Sequence, residues 1–330
     1  MQNSLNRYNK VNDHIMRNKL LKVEKMKIFI FLLYLSIHLQ SVAQTKYFVL
    51  ENNKDFELSS FKMNTQPLYK VNREVTLFNL MKKEDNLIGK DGKLNGQSDY
   101  NIILFSVLPD LSGKEDWEKI DLDTIHSSII TFDKLQQLHT KNTLSYFNNV
   151  IKETTKYFNT YKIIVKKGSD YYKPKFCLLQ FYSVRNRPDV FTSVYGTINT
   201  EDSKYSIIEF EKIFKETYPR LDFPLNRMGE EPLSFIDWTR DRKEYLSKKI
   251  SLGNNLIGYQ FWTYIDWTKH HFQYDFERGI DRFIYFPGKG IIAGSFDFYF
   301  YFHRKELPIG YADFMQNIKE EKVMIADNYK

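Results

Sequence analysis

Cysteine is almost missing: Cys177 is the only one in 330 residues. A chain with one thiol has no intramolecular disulfide framework, so its stability must come from a packed core. Cys177 lies in the apolar stretch FCLLQFYSV. There it reads as a small buried hydrophobe, since a nucleophile wants a nearby base and an electropositive setting. Proline and glycine are sparse, at 9 and 14, and no Pro-, Gly- or Ser-rich linker divides the chain. No apolar run reaches the roughly 20 residues that cross a bilayer. Motifs that carry a mechanism are missing too: no phosphate loop ending in Gly-Lys-Ser/Thr, no paired-histidine zinc helix, no nucleophile elbow. GKGIIAG, Gly288 to Gly294, has one residue too many between its last two glycines for a dinucleotide loop, and a strand pattern follows it instead of a helix. DGKLNG, Asp91 to Gly96, places Lys93 where a calcium loop needs an oxygen ligand.

What is present begins with MKIFIFLLYLSIHLQSVAQT, Met26 to Thr45. Lys27 gives a basic start, Ile28 to Ile37 an apolar block, and Ser41 and Ala43 the small residues at −3 and −1. That order is the layout of a secretory signal peptide cut between Ala43 and Gln44. The expected localisation is therefore secreted or periplasmic, with membrane contact only in transit. Residues 1–25 have no apolar face to bury and are read as a non-native leader ahead of a true start at Met26. The whole chain carries 48 basic and 41 acidic residues, a formal +7. Removing 1–43, with seven basic and two acidic residues, leaves 41 against 39. With no dense basic stripe in the remainder, no nucleic-acid partner is expected.

Residues 44–330 are long enough to bury a core without staples. They are read as a single α+β domain with a possible sub-boundary near 138–142. KYFVLE opens as a strand. LYKVNREVTLFNL reads as a strand or a strand and a helix. IGKDGKLNGQSD, Ile88 to Asp99, is a loop. YNIILFSVLP reads as a strand buried on both faces and stopped by Pro109. A helix from Asn142 puts Leu144, Phe147, Ile151 and Phe158 on one stripe. A second, from Ser206, opens with the capping box Ser206–Glu209. It turns Ile207, Phe210, Ile213 and Phe214 inward and stops before Pro219. YKIIVKK, KFCLLQFYSV and FTSVYGTI are strand candidates between the two. A helix, a meander and a helix signal α+β with antiparallel sheet rather than alternating β-α-β. LIGYQFWTYIDW, then RFIYF, the turn PGKG and IIAGSFDFYFYFH read as a C-terminal hairpin or meander, closed by a helix around ADFMQNIKEEK. In the last of these strands Phe296, Phe298, Phe300 and Phe302 share one face, and Asp297, Tyr299, Tyr301 and His303 the other. The pentapeptide IDWTR at Ile236 recurs as IDWTK at Ile265, two copies where a repeat architecture needs several. After the first copy, RDRKEYLSKKI reads as helix.

The richest polar stretch is DWTKHHFQYDFERGIDR, Asp266 to Arg282. Its carboxylates and imidazoles suit acid–base work, which makes Asp275, Glu277 and His271 the catalytic candidates. Its acids can equally pair with Arg278 and Arg282 in a solvated loop. Adjacent acids, as at Glu230–Glu231 and Glu115–Asp116, point apart and read as surface charge. Tryptophans Trp117, Trp238, Trp262 and Trp267 can stack on sugars or peptides, although strand aromatics are core by default. Trp238, Trp262, Trp267, Tyr299, Tyr301, His303 and Arg278 are the ligand-binding candidates. No metal site and no cofactor is expected. The resulting expectation is an exported, non-catalytic binding protein for an envelope component, glycan or protein partner. An extracytoplasmic hydrolase using the acid and histidine cluster within 266–303, or a structural or assembly factor of the envelope, stands behind it.

Overall fold

The stretch YNIILFSVL has no polar face, and such a strand persists only when both of its faces are covered. That requirement organises the fold. The computed structural model describes residues 45–51, 56–81, 100–135, 161–184, 196–223, 243–252, 256–264, 279–302 and 307–329, with the single positions Lys27 and Gln137. Along the chain come β1 (Lys46–Leu50), β2 (Glu57–Asn64), helix α1 (Gln66–Tyr69), β3 (Glu74–Met81), β4 (Tyr100–Leu108), β5 (Trp117–Ile120) and α2 (Leu122–Ile125). Then follow β6 (Tyr161–Lys167), β7 (Asp170–Pro174), β8 (Phe176–Val184), β9 (Thr197–Ile198) and α3 (Ile207–Thr217). The last third holds β10 (Lys243–Leu252), β11 (Leu256–Tyr264), β12 (Arg282–Phe286), β13 (Gly290–Ser295), α4 (Asp297–Phe302), α5 (Tyr311–Lys319) and β14 (Met324–Ile325). Contacts divide the chain into Met1–Thr45 and Lys46–Lys330, and all these elements belong to the second unit.

The strands form three sheets: a small one ordered β1-β6-β7-β5, a central one ordered β2-β3-β4-β8-β9, and a C-terminal one ordered β10-β11-β12-β13-β14. Pairing is antiparallel except for β1 with β6 and β8 with β9. With few and short helices among the described residues, the class is α+β. Alternation along β4 and β8 then explains their apolar sequences. Ile102, Leu104, Leu178 and Tyr182 join a core with Phe283, Ile284 and Ile292 of the C-terminal sheet. Their neighbours Ile103, Phe105, Leu179 and Phe181 join a second core with Phe48 and Ile163 of the small sheet. Cys177 is buried in that second core.

Polar side chains tie the central and C-terminal sheets together. Asn79 donates to the Ile291 carbonyl at 2.9 Å and accepts from the Ile291 amide at 2.8 Å. Gly290, at φ +89°, leaves the room for it: a Cβ there would lie 2.6 Å from Asn79 Oδ1. Gln180, also buried, accepts from the Ile280 amide at 3.0 Å.

Helix α3 carries the expected capping box, with Ser206 Oγ accepting from the Glu209 amide at 3.2 Å and Glu209 accepting from the Ser206 amide at 2.8 Å. Ile207 and Phe214 are buried, but Ile213 is 45% exposed and does not join the inward stripe. LYKVNREVTLFNL divides into the end of α1 and then β3.

Two expectations are corrected. RDRKEYLSKKI is rich in helix formers, yet Lys243–Leu252 is strand β10, paired with β11 along its length around a bulge at Leu246/Lys248. The sheet partner overrides local propensity. The period-two phenylalanines after Ser295 are not a strand: β13 ends there and Asp297–Phe302 is helix α4. Phe298, Tyr299 and Phe300 are all buried, so the apolar alternation did not mark one inner and one outer face. The helix expected from Asn142, the loop Ile88 to Asp99, most of FTSVYGTI and the cleavage site at Ala43 and Gln44 lie outside the described residues.

Candidate functional site

Among the ligand-binding candidates, the structure describes Trp262, Tyr299 and Tyr301. Trp262 on β11 is 1% exposed and donates from Nε1 to the Tyr205 carbonyl at 2.7 Å. Its ring meets Tyr245 in a stack at 4.9 Å and Phe210 edge-on at 5.3 Å. Tyr299 on α4 is buried and donates to the Pro109 carbonyl at 2.5 Å. Tyr301 is half-buried beside Phe314. These three rings pack into the core region, where protein occupies the neighbouring space. Trp238, Trp267, His271, Asp275, Glu277, Arg278 and His303 lie outside the described residues.

Arg282, from the same polar stretch, finds its acid elsewhere. It is 2% exposed and forms a two-pronged pair with Asp297, the first residue of α4. Its Nε donates to the Lys322 carbonyl at 3.0 Å. Tyr69 donates to Asp297 Oδ1 at 2.9 Å and accepts from the Phe296 amide at 2.8 Å, while its ring stacks on Phe300 at 3.8 Å. Burial, and then the Asp297 carboxylate, push the Tyr69 hydroxyl well above its ordinary range. Burial works against the Arg282 charge, but Asp297, Tyr69 and Asp281 together outweigh it, and the net displacement is upward. This cluster is closed: its polar atoms face protein, and it ties α1, β12, α4 and the segment after α5 into one piece. Among the described residues no group of three His, Cys, Asp or Glu side chains could hold a metal ion.

A second polar–aromatic cluster lies at the surface of the small sheet. Its four strands carry Lys46, Lys119, Lys162, Lys166, Lys167 and Lys173 against only Glu118 and Asp170. The cluster centres on the β6–β7 hairpin, KKGSDYY. A two-residue loop joins these strands, with Gly168 in its first position at φ +64°. A glycine there suits the primed turns that match strand twist. Lys167 pairs with Asp170, Lys166 with Tyr171 and Val165 with Tyr172. Lys166 and Lys167 therefore stand on opposite faces of the hairpin.

Each of these ammoniums rests on aromatic rings. Lys167 Nζ lies 4.1 Å from the centroid of Trp117 and 5.3 Å from that of Tyr172. Lys166 Nζ lies 5.6 Å from the centroid of Tyr171. Both lysines are exposed, and neither has a carboxylate within ion-pair distance among the described residues. The neighbouring acids are engaged: Glu74 holds Lys62 at 2.9 Å, and Asp170 holds Lys119 at 2.9 Å. Partial burial, and then the nearby Lys62 ammonium, lower the Lys167 amine below its ordinary value, with Glu74 acting the other way. The rim thus holds positive charge that its own carboxylates leave over. Such an arrangement can receive an anionic group.

From the sequence Trp117 stands out only as one of four tryptophans, and neither lysine stands out at all. Their signal was available in the tandem KK-GS-DYY, a turn flanked by cations and rings. The partner Trp117 sits far away in sequence and is brought in by the pairing of β5 with β7. Comparison with family models, with curated proteins and with solved structures found no match to the chain.

Proposed function

We propose that this chain is an exported, non-catalytic binding protein that holds an anionic component of the cell envelope at the rim of the small sheet. One observation carries the reading: an exposed lysine, Lys167, is seated on Trp117 and Tyr172 without a carboxylate partner among the described residues. Rings beneath an ammonium restrict its motion and leave its outer hydrogens for an anion. The carboxylates beside it, Glu74 and Asp170, are tied up with Lys62 and Lys119, which suits holding a ligand better than acid–base turnover. Export rests on the basic, apolar and small-residue order of Met26 to Ala43.

Two measurements test it. Expressed as the full chain in a bacterial host, the protein is expected outside the cytoplasm with Gln44 at its N-terminus. A cytoplasmic protein with an intact start removes the export half. Mixed with washed envelopes, it should co-sediment at low salt and be released by salt. Replacing Lys166 and Lys167 by Gln should abolish co-sedimentation, and unchanged co-sedimentation of that variant rejects the rim as the contact.

A further inference from the structure

We infer that the anion held by the β6–β7 hairpin is a carboxylate-bearing polysaccharide that passes around the hairpin tip and meets an ammonium on each face. This rests on the binding reading above and narrows it to one ligand class. Four features of the rim lead there.

First, the ammoniums are divided between two faces, with Lys166 over Tyr171 on one and Lys167 over Trp117 and Tyr172 on the other. A compact anion reaches one of them; a polymer with repeated charges reaches both. Second, the turn between them is low. A Cβ placed on Gly168 would have nothing of the described residues within 4 Å, so the turn offers open space there for a chain to lie across. Third, an exposed ammonium–carboxylate contact is individually weak. Useful affinity at this rim therefore needs several contacts on one ligand, each raising the effective concentration of the next. Fourth, the ring positions favour a sugar over a nucleobase. Trp117 already carries an ammonium over its ring at 4.1 Å, so stacking a base on that side would first require displacing Lys167. Uronate carboxylates meet the lysines where they stand, and the pyranose edges lie against the half-buried tyrosine rings.

The test uses the full chain and three probes: polygalacturonate, neutral dextran of similar length, and single-stranded oligothymidylate. Expected is binding to polygalacturonate that weakens with salt, none to dextran, and weaker binding to the oligothymidylate at equal charge concentration. The galacturonate monomer should bind at least about a hundredfold more weakly than the polymer, because it forfeits the linked contacts. Lys166→Gln with Lys167→Gln should weaken polymer binding by roughly tenfold or more. Lys204→Gln with Lys212→Gln removes an equal, exposed charge at and beside α3, with no ring beneath either ammonium among the described residues, and should change it less than about twofold, if place and not total charge matters. Unaltered melting of both variants would show that the exposed lysines were removed without unfolding.

Equal loss from the two variants, or oligothymidylate binding as tight as polygalacturonate, overturns the inference in favour of unspecific charge attraction. No binding to polygalacturonate overturns it as well. If envelopes still retain the protein through Lys166 and Lys167 in that case, the ligand class is wrong and the binding reading stands. If retention is also independent of these lysines, both fall.

Discussion

Two clusters in this protein are built from the same materials, cations laid among aromatic rings and carboxylates, and they differ in completeness. Around Arg282 the guanidinium, the Asp297 carboxylate and the Tyr69 hydroxyl are buried and answer one another. Around Lys167 the ammonium has rings beneath it, a like charge beside it and solvent in front. A buried charge persists only when it is paired and hydrogen-bonded. An exposed one can remain unsatisfied by the protein itself. The contrast separates two roles: the closed cluster holds segments of the fold together, and the open one keeps capacity for a partner.

Breaking the closed cluster should have the largest effect. Asp297→Ala leaves the Arg282 charge buried without its acid and should cost about 3–5 kcal/mol in denaturant unfolding. Replacing both, Arg282→Met with Asp297→Leu, should recover part of that loss: the unpaired charge is gone, but the buried Tyr69 hydroxyl loses its acceptor and the Lys322 carbonyl its donor. If the single change costs less than about 1 kcal/mol, water reaches Arg282 and the cluster is not closed. Next in size is Gly290→Ala. The new Cβ would displace the Asn79 amide from its two hydrogen bonds to Ile291 and hold a non-glycine residue at φ +89°. About 2–4 kcal/mol is expected; a near-neutral outcome would mean that Asn79 can turn aside without loss.

How much of this was legible in the sequence depends on what surrounds each segment. β1, β4, β6 and β8 are visible because their apolar runs match most of their burial, β11 because of its β-branched and aromatic composition although Leu256 and Ile257 are exposed, and α3 because its capping box is local chemistry. β10 was misread because Arg, Lys, Glu and Leu favour helix, while its strand state is imposed by β11, which only the fold supplies. α4 was misread for a different reason. Alternating phenylalanines signal a strand when one face is wet, and here Phe298 and Tyr299, neighbours in sequence, are both buried. Of the candidate site, Arg282 stands out in the sequence as a polar residue, but the period-two pattern places its partner Asp297 on a strand face. The Lys167 rim was hidden because it is assembled from β5, β6 and β7, and no periodicity within one segment reports a ring from another.

A smaller effect sharpens the reading of α3. Ser206→Ala removes an N-cap and should cost about 1 kcal/mol near neutral pH. The hydrogen bonds from the Ser206 hydroxyl, and then from its amide, hold the Glu209 carboxyl below its ordinary value of 4.5. A depressed folded-state carboxyl contributes stability above the unfolded value, lost as pH falls through the folded one. The gap between wild type and Ser206→Ala should therefore narrow as pH drops below 4.5. A gap that stays constant into strong acid would assign the effect to the hydroxyl alone.

The smallest effect on stability belongs to the open cluster, and its smallness separates it from the closed one. In Lys167→Gln the ring contacts of the ammonium are lost, while its desolvation and its repulsion from Lys62 are relieved. These oppose, so the net change at neutral pH should stay within about 0.5 kcal/mol. The pH dependence distinguishes them. A lysine whose folded-state value is lowered destabilises the fold while it is charged, because the unfolded chain binds the proton more readily. That penalty fades as pH rises through the lowered value toward the ordinary 10.5. The wild type should thus gain on Lys167→Gln between neutral and strongly alkaline solution, read as converging or crossing melting temperatures. If the wild type instead loses ground as Lys167 deprotonates, the rings stabilise the cation more than its surroundings penalise it. Lys167 would then be a structural strut like Arg282, and the distinction between a finished cluster and a waiting one would disappear.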